Sequence, residues 1–284
     1  MRRFEFYSPR SLGEALRFLP EKGDRTGVIA GGTDLIPRLR EGASQPDFVL
    51  NLLEIEELNA IREADQVLHI GATITHTQIA ESPALKRTCP IIIQAAASVG
   101  GPLVRNRGTI GGNIVNASPA ADLACALLAL DAEVVLRSEK GGRSVALADF
   151  FVGPGQTVIH PDELLTEVTI RLPKGRGVFH KLGRRQAMSL SVVNVAISLE
   201  MEGKFCRKSR IALGSVAPTP IRCPQVEQML INRETTPELL SKCATEAMRA
   251  SKPIDDQRAK AWYRIEAGTV LLRRALTEAA GLKA

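Results

Sequence analysis

Apolar positions along the chain change period several times, and each change marks a different kind of element. Leu12, Ala15, Leu16 and Leu19 recur at helical spacing behind Ser11, so residues 12–19 are expected to form a helix with Ser11 as N-cap and Pro20 as its end. Short apolar runs over 27–30 and 48–52 are expected to be buried strands, the first running straight into Gly31-Gly32. Residues 66–71 alternate as a strand, 77–80 with Pro83 open a helix, and the Ile- and Ala-rich stretch 90–99 predicts a buried helix closed by Gly100-Gly101. A Gly-rich loop follows, then a small-residue apolar helix over 120–130, a strand over 133–137, a loop carrying Gly141-Gly142 and a strand over 165–172. Pro173-Lys174-Gly175-Arg176-Gly177 reads as a linker. Beyond it, strands over 192–199 and 208–216 are expected to pair around Glu202-Gly203-Lys204. Helices are expected near 236–250 and 257–280, the first with Thr236 as N-cap and Pro237 at N1. Strands grouped together with flanking helices argue for an α+β fold, in units spanning 1–56, 57–174 and 177–284.

Composition narrows the function classes. A chain of 284 residues is long enough for two or three compact units. Its 37 Lys and Arg against 31 Asp and Glu give a net charge of +6, but the basic residues are scattered and only 4% of residues are aromatic. With little to stack bases on, nucleic-acid binding is not expected. No segment reaches the roughly 18 uninterrupted apolar residues of a membrane helix, and Met1-Arg2-Arg3-Phe4-Glu5-Phe6 has no secretory apolar run, so a cytoplasmic protein is expected. Cys89, Cys125, Cys206, Cys223 and Cys243 are widely spaced with no C-x-x-C pair, which reads as reduced thiols packed as small hydrophobes. No metal site is expected, and the chain is not expected to hold an iron–sulfur cluster unaided.

Two glycine pairs carry the candidate chemistry. In Ile29-Ala30-Gly31-Gly32-Thr33-Asp34-Leu35 the glycines let the backbone approach a ligand closely, and successive N–H groups with the Thr33 hydroxyl can form an anion nest. The same stretch equally reads as a plain strand-to-helix turn with a Thr or Asp cap. The second pair lies in Val104-Arg105-Asn106-Arg107-Gly108-Thr109-Ile110-Gly111-Gly112-Asn113, and Asn116-Ala117-Ser118-Pro119-Ala120-Ala121-Asp122 follows with more hydrogen-bonding groups. So dense a run of small and polar residues contributes little apolar burial, which favours a binding role. No G-x-G-x-x-G after a strand and no Walker loop occurs, so neither a Rossmann site nor a P-loop is supported. Two Gly-Gly loops on successive units suggest a diphosphate gripped from both sides.

Together, Ala30-Gly31-Gly32-Thr33-Asp34-Leu35 and Asn106-Arg107-Gly108-Thr109-Ile110-Gly111-Gly112-Asn113 resemble the FAD-binding medium subunit of the molybdenum hydroxylases, the xanthine dehydrogenase, aldehyde oxidoreductase and carbon monoxide dehydrogenase family. Further matches run along the chain, in Gly71-Ala72-Thr73-Ile74-Thr75-His76, Phe179-His180-Lys181-Leu182-Gly183-Arg184-Arg185, Val193-Asn194-Val195-Ala196 and Ala217-Pro218-Thr219-Pro220-Ile221-Arg222. The resemblance implies a two-part FAD-binding domain of the vanillyl-alcohol-oxidase (PCMH) type, followed by a C-terminal α+β domain with a small antiparallel sheet and helices. It implies non-covalent FAD held by Val28, Ile29, Ala30, Gly31, Gly32, Thr33, Asp34 and Leu35, by His76, and by Val104, Gly108, Thr109, Ile110, Gly111, Gly112 and Asn113. Ala117, Ser118 and Asp122 would extend that surface, with Asp122 facing ribityl or ribose hydroxyls and Leu164 or Leu165 near the adenine or flavin edge. Lys181 would sit near the isoalloxazine ring, where a cation stabilises the negative charge that reduction brings, or it is a surface charge beside Arg184.

The resemblance further implies an oxidoreductase subunit with no catalytic residue of its own. Electrons would come from [2Fe–2S] clusters on a small partner and leave to an acceptor such as NAD⁺, while molybdopterin would sit on a large partner. A self-sufficient FAD-dependent oxidase or reductase of the same fold is the alternative. The chain departs from the family pattern after Arg184-Arg185, where Ser189 and Ser191 stand in places often held by Asp and Ala.

Overall fold

The computed structural model describes residues 2–282. Its first sheet is parallel, in the order Glu5–Tyr7, Phe48–Asn51, Thr26–Ile29. Helix Leu12–Lys22 packs Ala15, Leu16 and Leu19 against Leu50, Leu52, Ile55 and Leu58. Ser11 caps it by accepting from the Glu14 N–H. Pro20 lies inside this helix instead of ending it. So near the C-terminus the missing N–H removes a single bond, and the Gly23 N–H still closes the last turn on the Leu19 carbonyl.

The second sheet is antiparallel, ordered Ile61–Ala64, Val67–Gly71, Leu164–Arg171, Glu133–Ser138, Gly141–Ala146. Gly141 and Gly142, expected in a loop, open its edge strand: Ser138 pairs with Gly141 and Arg137 with Gly142, leaving a two-residue turn at Glu139-Lys140. Helices Pro90–Ser98 and Asp122–Leu128 cover this sheet, burying Ile91, Ile92, Leu123 and Leu127 with Val134, Val168 and Phe150.

The third sheet is antiparallel, ordered Arg176–Gly183, Ser191–Glu202, Phe205–Gly214, Ile221–Arg222. Arg176 and Gly177, expected in the linker, already pair with Leu199 and Ser198. The hairpin turns at Gly203, whose φ is +58°. Helices Pro237–Arg249 and Ala261–Ala279 press Leu240, Ala247, Met248, Leu272 and Leu276 onto Val193, Val195 and Leu213. Thr236 caps the first, accepting from the Leu239 N–H, with Pro237 at N1. The α+β class expected from the pattern is the class observed.

Helix Asp122–Leu128 joins the second and third sheets, and all seven of its residues are buried. Ala196 and Ala212 of the third sheet share its apolar core. Just past its C-terminal end, Asp131 accepts from Arg210 Nε at 2.6 Å and from Arg222, and Arg222 in turn pairs with the buried Glu227. All five cysteines are buried free thiols, and burial pushes Cys89 and Cys223 up to about 12. Among the described residues, no helix is long and apolar enough to cross a membrane.

Candidate functional site

The two glycine pairs meet. Strand Thr26–Ile29 runs into Gly31 and Gly32, and helix Leu35–Arg40 starts immediately after, the Ile36 N–H donating to the Gly32 carbonyl at 3.1 Å. Gly32 has φ +74°, a conformation that a side chain would strain. At Gly31 the requirement is closeness: a Cβ there would overlap the Arg107 carbonyl oxygen and lie 2.9 Å from Gly108 Cα. The loops therefore touch backbone to backbone. Among the described residues, nothing accepts from the N–H groups of Gly31, Gly32, Thr33 or Asp34. Four unclaimed donors on one partly exposed turn form an anion nest.

The second glycine pair lies in a helix, not a loop. Thr109 caps helix Ile110–Val115, its hydroxyl accepting from the Gly112 N–H at 3.1 Å. Gly111 packs flat on Ala72, donating to its carbonyl at 2.9 Å, and a Cβ there would lie 2.7 Å from that oxygen. A side chain chain-link ties the two jaws: Arg38 donates to Asn116 Oδ1 at 2.7 Å, and the same amide donates to Asp34 Oδ1 at 3.2 Å.

Between the jaws lies a cleft of about 280 Å³. Leu164 and Leu165 contribute its wall from the second sheet, with Ile159 and Glu163 beside them. Glu163 is gripped by Arg143, Nε to Oε1 at 2.7 Å and Nη2 to Oε2 at 2.9 Å, which holds its carboxyl below the usual carboxylate range. His76 is almost fully buried at the wall. Burial, assisted by the Arg105 charge, pushes its imidazole down to about 4, so it is neutral near pH 7. Its Nδ1 and the Asn113 Oδ1 are buried with no hydrogen-bond partner among the described residues.

Of the residues singled out from sequence, Val28, Ile29, Ala30, Gly31, Gly32, Thr33, Asp34, Leu35, His76, Val104, Gly108, Thr109, Gly111, Gly112, Asn113, Leu164 and Leu165 line this cleft. Five do not. Ile110 is a core side chain whose N–H is spent on the Ile74 carbonyl. Ala117, at φ +47°, is buried and accepts from the Gly155 N–H. The Ser118 hydroxyl is turned back onto the Ala120 N–H, shaping the entry to the next helix.

Asp122 and Lys181 form a separate buried cluster. Lys181 Nζ donates to Asp122 Oδ2 at 2.5 Å and to the Ser98 carbonyl at 2.8 Å. Asp122 Oδ1 accepts from Ser191 Oγ at 2.5 Å and from Asn194 Nδ2 at 2.7 Å. Asp122 thus has protein partners where sugar hydroxyls were expected, and Lys181 is one half of a buried ion pair, not a surface charge beside Arg184. Asn116, noted from sequence for its hydrogen-bonding groups, lines the cleft too, while sequence reasoning left Arg38, Leu52, Ala72, Val99, Val115, Ile159 and Glu163 out of its wall. Arg38 had a local signal, since four residues after Asp34 it stands over the same helical face. The others converge only through folding.

The family described as "FAD binding domain in molybdopterin dehydrogenase" matches residues 2–174, and "CO dehydrogenase flavoprotein C-terminal domain" matches residues 178–279. The chain is 34% identical over 277 residues to the glyceraldehyde dehydrogenase medium chain of Sulfolobus acidocaldarius, covering 98% of each. It is 31% identical to the carbon monoxide dehydrogenase medium chain of Hydrogenophaga pseudoflava, covering 98% of this chain and 97% of that one. The solved structure of carbon monoxide dehydrogenase from the same organism superposes with a TM-score of 0.95 at 31% identity, covering 99% of both chains.

Proposed function

Because the chain belongs to the family of FAD-binding medium subunits of the molybdenum hydroxylases, we propose that it is the electron relay of such a complex. It receives electrons from [2Fe–2S] clusters of a small partner, which are filled by a molybdopterin-binding large partner, and passes them to an acceptor such as NAD⁺. Residues 1–56 and 57–174 are read as the two parts of the FAD domain, with 177–284 packed over it.

One observation carries the reading: Gly31 and Gly108 press together so that the unclaimed N–H groups of Gly31 to Asp34 face the same cleft as the Thr109–Asn113 helix start. A dinucleotide pyrophosphate needs donors and no intervening Cβ: the first jaw brings the unclaimed N–H groups of Gly31 to Asp34, and the second, whose N–H groups are spent within the fold, brings the Thr109 hydroxyl and the Asn113 side-chain amide. The apolar flank from Val28, Val104, Leu164 and Leu165 suits flat aromatic rings, and the orphaned Asn113 Oδ1 is an acceptor awaiting a donor. Bound FAD supplies the exchange between single-electron and two-electron steps. The protein binds it, orients it and excludes water; neutral His76 keeps a charge off the wall.

The test is reconstitution. The purified chain is expected to retain FAD with flavin absorbance, and that flavin is expected to bleach only when both partner chains and a substrate of the molybdenum chain are supplied. A folded chain that holds no FAD overturns the reading. Bleaching by a small-molecule substrate without partner chains establishes a self-sufficient oxidase or reductase instead.

A further inference from the structure

We propose that Ser191 and Asn194 are positioning residues of the flavin site, which hold the Asp122 carboxylate so that it in turn fixes the Lys181 ammonium on the Ser98 carbonyl, next to the cleft-wall residue Val99. The proposal rests on the FAD reading above. Both residues are fully buried and both donate to the same oxygen, Asp122 Oδ1, at 2.5 Å and 2.7 Å. Three residues apart on a regular strand, they would face opposite sides of the sheet. A bulge removes that conflict: Leu182 pairs with Val193 and Gly183 with Ser191, so Val192 has no opposite number and the alternation slips by one. Gly214, paired with Asn194, leaves the room the amide needs, since a Cβ there would overlap Asn194 Oδ1.

This arrangement has a cost. Asn194 Oδ1 is left buried with no partner, and the Asp122–Lys181 pair is only 5% and 11% exposed. An orphaned buried acceptor destabilises the fold, and a buried ion pair is weak evidence of stabilisation. Packing alone gives no reason for it.

The geometry supplies one. An ammonium carries three N–H donors. Asp122 Oδ2 and the Ser98 carbonyl take two, and Ser98 precedes Val99, a wall residue of the cleft. One donor remains on a cation whose carbonyl partner immediately precedes the cleft wall in the chain. Two neutral donors on the far oxygen of Asp122 draw its charge away from Lys181. Without them the carboxylate turns more of its charge on the ammonium, and the field of Lys181 in the cleft weakens. Ser191 is thereby a tuning position.

The experiment is a spectroelectrochemical titration of the FAD-loaded full chain as wild type, Ser191→Ala and Ser191→Thr, with Asn194→Ala as the second probe of the same carboxylate. Ser191→Ala removes one oxygen and is expected to lower the flavin midpoint potential. FAD affinity should fall by no more than about tenfold, because Ser191 lines no part of the cleft and the hydrogen bond lost is within the protein. Ser191→Thr restores the hydroxyl and is expected to restore the potential, while Asn194→Ala shifts it in the same direction as Ser191→Ala. A role in packing alone would change stability and leave the potential where it was. FAD-loaded Ser191→Ala with the wild-type potential overturns the proposal and leaves the FAD reading standing, as does Ser191→Thr shifted as far as Ser191→Ala. A wild-type chain that holds no FAD overturns the reading on which the proposal rests.

Discussion

Replacing Gly31 by Ala tests the clamp at its closest point. The new Cβ would overlap the Arg107 carbonyl oxygen and sit 2.9 Å from Gly108 Cα, where ordinary contact begins at 3.4 Å. Relieving Gly108 alone requires the loops to part by about 0.5 Å, and the carbonyl requires more. Neither neighbour can swing aside, because both are backbone. Overpacking of this kind costs about 1–3 kcal/mol, which lowers Tm by about 2–4 °C per kcal/mol for a chain of this size class. The larger effect falls on the ligand. Parting the jaws withdraws at least one N–H from a charged phosphate, worth about 1.5–3 kcal/mol, so FAD should bind roughly ten- to a hundredfold more weakly. Fluorescence titration of the apoprotein with FAD measures this directly. Gly203→Ala is the control: at φ +58° with nothing within 4 Å, it carries about 1–2 kcal/mol of backbone strain and no consequence for the cleft. If Gly31→Ala binds FAD as tightly as wild type, the two loops do not form a single clamp and the reasoning fails.

Two further outcomes follow from buried charge. His76 has a folded value of about 4 against 6.5 for the free imidazole, so the unfolded chain takes up the proton first and stability is lost as pH falls from 6.5 towards 4. By pH 5 this amounts to about 2 kcal/mol in urea denaturation, and a His76→Gln chain with the same pH slope would show that the histidine is not its source. Arg264 is 3% exposed and donates to the Val192 carbonyl at 2.7 Å, the Ser215 carbonyl at 3.0 Å and Asp256 Oδ1 at 2.7 Å. Arg264→Met takes a donor from the Val192 and Ser215 carbonyls, while Asp256 keeps Arg258 and two backbone N–H groups, so the loss should be about 1–3 kcal/mol for each orphaned carbonyl; a total loss under about 1 kcal/mol would mean the contacts are dispensable.

Much of the fold is legible because its signals are local. Ser11 and Thr236 cap the helices they were expected to cap, and Leu12, Ala15, Leu16 and Leu19 bury the expected face, with Leu12 only partly covered. The misreadings fall on glycine and proline, whose local meaning is permissive. Pro20 sits where one missing bond is tolerated, Gly141 and Gly142 join a strand because Arg137 and Ser138 offer them a ladder, and Gly111 starts a helix because Thr109 caps it.

The amino-acid sequence by itself determined that two backbone segments can approach a ligand closely, because the absence of a Cβ is a property of Gly31, Gly32, Gly111 and Gly112 wherever they lie. It also determined that the cysteines offer no cluster ligation pattern, and that strands and helices segregate into an α+β chain. Only the tertiary structure decided that Gly31 faces the Arg107 carbonyl, that Arg38 and Asn116 lash the jaws together, and that Asp122 meets Lys181, Ser191 and Asn194 instead of the cleft. Those are pairings between groups tens of residues apart. Their partners are chosen by sheet register and by a single bulge at Val192, and neither leaves a trace in the local pattern.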